Sequence, residues 1–114
     1  MDYSQLSDFE INGMVASLTQ SPGDHTQTSN ETFIHEYADI GEIKSLCIGW
    51  KKFAPCNNPS DAWPIIVQHR IGLNFVNENW RAQSLKTGWV EFCNENPLRA
   101  AMIVFLMMQE SQDA

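Results

Sequence analysis

Paired cysteines, clustered histidines and long apolar runs are all missing from this chain of 114 residues, and each absence removes a class of protein. Cys47, Cys56 and Cys93 are odd in number and lack C-x-x-C spacing, which excludes a disulfide framework and a thiolate metal site. His25, His35 and His69 lie too far apart in sequence for H-x-x-x-H or H-E-x-x-H, so a metal is not expected. Gly41, Gly49, Gly72 and Gly88 are isolated, and no phosphate-cradling glycine loop is present. The longest apolar stretch, Ala100 to Met108, falls well short of the ~20 residues a membrane span requires. Cations are scarce: seven Lys and Arg face fourteen carboxylates, for a net charge of −7. That balance argues against general nucleic-acid binding. The carboxylates are scattered and never form a block, so they read first as a solvated acidic surface.

What is present describes an ordinary small globular chain. Its length suits one domain, burying roughly two-thirds of its unfolded surface. Met1-Asp2-Tyr3-Ser4 opens on an acid with no apolar run. A cytoplasmic protein with free, buried thiols is therefore expected. Ser7-Asp8-Phe9-Glu10 is a capping box, and Ile11, Met14, Val15 and Leu18 follow at helical spacing. Gly13 weakens that helix by about 1 kcal/mol relative to Ala. Residues 20–31 hold no apolar side chain and read as an exposed, flexible loop, most simply an insertion.

Thr32 to Tyr37 and Ser45 to Phe53 are candidate strands. Pro55 to Ile66 follows, with two possible helix starts. Asn58-Pro59 suits one, and Asp61 as cap would put Pro64 at the third helical position, where no bond is lost. A short helix from about Ala62 to His69 is expected. Ile71 to Val76, the turn Asn77-Glu78-Asn79 and Trp80 to Leu85 form a hairpin. Lys86-Thr87-Gly88 breaks it, and Trp89 to Phe92 adds a short strand. Asn96-Pro97 caps and opens a last helix to about Gln109, apolar on nearly every side. These elements predict an α+β fold: a small antiparallel sheet with the N-terminal and C-terminal helices packed on it.

Chemistry is harder to find. Cys56, His69 and Asp61 supply the residue types of a thiol triad without its local signature, and Cys56 reads first as a small half-buried residue. The pairs Glu36 with Asp39 and Glu91 with Glu95 read as solvated. Trp50, Trp63, Trp80 and Trp89 are abundant for this length, and each is read first as core. Trp and Arg are also the residues that stack flat ligands and anchor partners. A ligand-binding wall is therefore expected from Trp63, Trp80, Arg81, Asn57, Asn58 and Asp61, with the start of a helix offering free amides to an anion.

Three blocks carry a family resemblance: Tyr3 to Asn12, Pro55 to Ile66 and Asn96 to Ile103. Together they bracket almost the whole chain, which resembles the small NinX-like accessory proteins of lambdoid bacteriophages. That family is a domain of unknown function and lends no catalytic residue or cofactor. The resemblance implies an accessory phage gene expressed in the host bacterial cytosol, where such genes often alter host processes or blunt host defence. The expected function is non-catalytic binding of a host component, either a small nucleotide-like ligand or a host protein. The alternative is an enzyme acting on a host nucleotide or protein through Cys56 or a carboxylate. The apolar C-terminal helix is the expected site of any homodimer.

Overall fold

Local signals at the start of the chain act as the sequence requires. The Ser7 hydroxyl accepts from the Glu10 amide at 3.1 Å, and the Glu10 carboxylate accepts from the Ser7 amide at 3.1 Å. The helix they start, α1, spans Asp8–Thr19. A computed structural model describes residues 1–86 and 90–113, without the side chains of residues 112 and 113. Thr87, Gly88 and Trp89, expected to break the hairpin and open a strand, lie outside the described residues.

Ile11 and Val15 of α1 are fully buried, with Asn12 and Ala16 beside them, while Leu18 is 49% exposed. The buried stripe is thus turned one position from the expected one, because a small and a polar residue meet the core. Gly13 has a reason to be glycine. A Cβ there would overlap the Gln27 side-chain amide, which donates to the Phe9 carbonyl at 3.1 Å and to Thr32 Oγ1 at 3.0 Å.

The segment expected to be a loop contains β1, His25–Gln27, which pairs antiparallel with β2, Thr32–Ile40. β2 turns at Gly41 into β3, Ile43–Lys52, completing a sheet of order β1-β2-β3. α2 spans Pro59–Gln68, with Asn58 as cap and Pro59 at its first position. β4 (Ile71–Val76), β5 (Asn79–Ser84) and β6 (Glu91–Asn94) form a second antiparallel meander. Asn77 and Glu78 both take positive φ, 51° and 67°, which matches a two-residue hairpin turn. The fold is α+β as expected, but its strands divide into two sheets.

α3, Pro97–Asp113, is the centre of the core. Asn96 caps it, its Oδ1 accepting from the Leu98 amide at 2.9 Å. The helix packs on β4, β5 and β6 and touches both α1 and α2. Ala100 to Val104 are fully buried, and Phe105 and Leu106 nearly so. Each large side chain so buried stabilises the fold by roughly 1.5–3 kcal/mol. The apolar run is buried inside the chain. Sheet one is different: β3 is exposed at every residue and has β2 as its main partner. The molecule is accordingly elongated, 55 × 28 × 25 Å.

Candidate functional site

α2 presents two adjacent stripes. Ala62, Ile65 and Ile66 turn to the core, whereas Trp63 is 61% and Val67 55% exposed. Arg70, just past the end of the helix, is also exposed and lines the same concavity as Trp63. The helix ends there: His69 caps it, donating its amide to the Ile65 carbonyl at 3.0 Å, and Arg70 takes φ 53°. This left-handed position after a helix belongs by preference to glycine, and a side chain there costs on the order of 1 kcal/mol. The Arg70 carbonyl accepts from the Leu85 amide at 2.9 Å, which brings Leu85 alongside. Gly72 leaves room for it, since a Cβ there would stand 3.2 Å from the Leu85 side chain.

Trp63, Val67, Arg70 and Leu85, with Ile71 and Leu73 at the floor, line a shallow concavity of about 410 Å³. Arg70 is the sole charged residue among those lining it. No carboxylate among the described residues lies within 4.0 Å of its guanidinium. In a chain of net charge −7, this patch combines a large ring, aliphatic surface and an unpaired cation. The sequence offered no local signal for Arg70, which lies beyond the end of α2 and joins Trp63 only through the left-handed turn after the helix.

The six expected wall residues do not share a surface. Asn58 caps α2 by accepting from the Ser60 amide at 3.0 Å. Asp61 is therefore the third helical residue, not the cap, and its carboxylate accepts from the Ala54 amide at 2.9 Å. Pro64 consequently sits inside the helix, where it removes a backbone bond. Asn57 donates to the Asp8 carboxylate at 3.1 Å. Trp80 pairs with Phe75 across the sheet, their ring centroids 5.4 Å apart. Arg81 pairs across the other face with Asn74, at 3.3 Å. Successive strand residues point to opposite faces, so Trp80 and Arg81 do not converge. Neither lines the concavity that Trp63 lines.

Trp50, like Trp63, is not core: it is 53% exposed and stacks on His35, with centroids 5.1 Å apart. Cys47 and Cys93 are also exposed, against the expectation of buried thiols, while Cys56 is fully buried. Burial, with Asp8 adding and Arg99 opposing, pushes the Cys56 thiol up to about 12. His69 packs on Phe105, centroids 4.7 Å apart, and burial, with Lys86 adding, lowers its ionisation. Among the described residues no three His, Cys, Asp or Glu groups gather at metal-binding distance.

The three sequence blocks that resemble the phage family meet in one polar knot. Asn12 Oδ1 accepts from the Cys56 amide at 3.1 Å, and Asn96 Nδ2 donates to the Cys56 carbonyl at 2.8 Å. Arg99 binds the Asp8 carboxylate and the Leu6 carbonyl, each at 2.7 Å. The most specific residues of the sequence thus join α1, the loop before α2 and α3, an architectural role. No curated protein and no solved structure matches the chain. The family model of bacteriophage P22 NinX matches residues 2–109, so the chain belongs to that phage protein family.

Proposed function

We propose that this phage protein is an accessory, non-catalytic binder of a host component, and that the Trp63–Arg70 face is its contact surface. The observation that carries the reading is Arg70, held at φ 53° beside a ring that is 61% exposed. A glycine would end α2 at lower cost, so the side chain is kept at some expense of stability, as functional side chains often are. Trp and Arg together are the commonest anchors of protein interfaces. Exposed Val67 and Leu85 extend the apolar area around them. The favoured occupant is a host protein that presents an acidic group to Arg70. Inhibition of a host defence protein is the role such an accessory gene would have.

A nucleotide-like small ligand is the second reading, because Trp63 could stack a base while Arg70 holds its phosphate. The openness of the concavity weighs against it, since ligand sites bury most of the molecule they hold. An enzyme acting through Cys56 has less support, given a buried thiol raised to about 12 and backbone groups tied to Asn12 and Asn96.

The discriminating variant is Arg70→Gly, which removes the guanidinium and relieves the backbone. Thermal stability should be equal or higher, by up to about 1 kcal/mol. Tagged wild-type protein incubated with host extract should retain a host protein, identified by mass spectrometry, that Arg70→Gly and Trp63→Ala lose. Retention of a nucleotide instead would select the second reading. Equal retention by all three forms would place the contact elsewhere.

A further inference from the structure

The β2–β3 hairpin stands out from the body as a ribbon with little cover. β1 pairs only with Thr32, Phe33 and Ile34 of β2, so both edges of the distal ribbon are open. An isolated two-stranded ribbon is marginal in water, and exposed apolar side chains worsen its position. Six large ones on this ribbon, Tyr37, Ile40, Ile43, Leu46, Ile48 and Trp50, are each 40–58% exposed.

The register sorts them by face. Ala38 pairs with Leu46 and Ile40 with Ile43, which puts four apolar side chains together on one face. The same face carries Glu36 opposite Gly49 and then Ile34 opposite Lys51 towards the root. There it overhangs a groove of about 380 Å³ whose lining includes Phe53, Pro64 and Ile65. The opposite face holds exposed Ile48, the stack of His35 on Trp50 and the Tyr37 hydroxyl, which donates to Asp24 at 2.9 Å. Tyr37 and Trp50 on that second face are thus held by contacts within the chain, whereas the first face is an apolar tip leading to a groove of mixed polar and apolar lining.

We infer that this arm is a self-association surface, on which the tip face of one chain packs antiparallel against the tip face of a second copy. The reading is independent of the Trp63–Arg70 proposal, with which it shares no residue. A two-fold axis beside Glu36–Ala38 lays each copy's Ile40 and Ile43 over Ile34 of the other and into its groove. Three features select a second copy over another partner. The surface is self-complementary, tip to groove, as an isologous interface requires. Residues 32–52 carry Lys44, Lys51 and Lys52 against Glu36, Asp39 and Glu42, a balance that the rest of this acidic chain lacks. Two such arms meet without the repulsion that opposes contact between the acidic bodies. The arm face, about 20 Å long, and the groove at its root offer on the order of 500 Å² per copy. Doubled, that reaches the roughly 1,000 Å² of a specific but reversible interface.

Face-to-face packing is favoured over edge pairing, because β3 has register shifts near Cys47 and Ser45 that interrupt a continuous ladder. Sedimentation velocity of the full chain over a roughly hundredfold concentration range tests the inference. Wild type should shift from monomer to dimer. Ile43→Lys should stay monomeric with an unchanged far-ultraviolet spectrum, and Ile48→Lys, on the opposite face, should still dimerise. A second measurement uses Ala38→Cys in a Cys47→Ser, Cys93→Ser background, which should cross-link between copies with a bismaleimide that spans about 10 Å. A wild type that stays monomeric, an Ile43→Lys dimer, loss of the dimer in Ile48→Lys, or no cross-link would each overturn it.

Discussion

Asparagine joins the parts of this fold more than any other residue. Asn58 and Asn96 cap helices through short-range bonds, and Asn96 was readable before Pro97 for that reason. Asn12 and Asn57 bind partners 44 and 49 residues away, for which no local signal exists. The same knot determines the chemistry of Cys56. At neutral pH a thiol reagent should modify Cys47 and Cys93 quickly and Cys56 only after denaturation, as peptide mapping would show. Equal reactivity would mean that the knot opens readily. Folding also raises the Cys56 thiol from 9.0 to about 12. Its contribution to stability is therefore complete below pH 9.0 and is lost as the pH climbs from there.

Among the elements, α3 and the β2–β3 hairpin are opposites. In α3 the apolar run meets a sheet and two helices, so substitutions there act on the whole molecule. Ile103→Ala should cost roughly 2–5 kcal/mol in denaturant unfolding, and Ile103→Asp should abolish folding through an unpaired buried charge. A soluble Ile103→Asp variant of native stability would remove α3 from the core. The hairpin shows where periodicity stops being informative. Its strands were legible from branched and aromatic content, but one alternation serves equally for a buried or a bare ribbon. α2 gives the complementary case. Both possible caps were chemically sound, and Asn58 holds the position while Asp61 binds the Ala54 amide. Pro64 inside the helix is the consequence, and it lines the groove beneath the hairpin.

At the scale of the whole molecule, His69 reports how tightly α2 is docked on α3. Its ring lies on Phe105, and burial lowers its ionisation below the ordinary 6.5. Between the two values the unfolded chain binds more protons, so stability is intact above pH 6.5 and declines as the pH falls through the lowered value. Urea midpoints measured at neutral and mildly acidic pH should show that decline, and His69→Phe should flatten it. An equal slope in the variant would assign the acid sensitivity to carboxylates.

What the sequence determined by itself is local. Caps, turns and apolar periodicity act over three to seven residues, so most helices, most strands and the α+β class could be read directly. The family was also legible, because its blocks are contiguous stretches of residues. Some of the candidate site was available too. Strand alternation separates Trp80 from Arg81 by a rule of the single element, whereas Trp63 and Arg70 are joined only by the turn that follows α2. Tertiary structure alone decided which stripe was covered and which was left bare. Burial depends on which neighbour an element finds, and that is set by contacts between residues far apart in the chain. So Trp63 and Trp50 face solvent, Leu18 lies outside the core, and the strands divide into two sheets with one ribbon left uncovered.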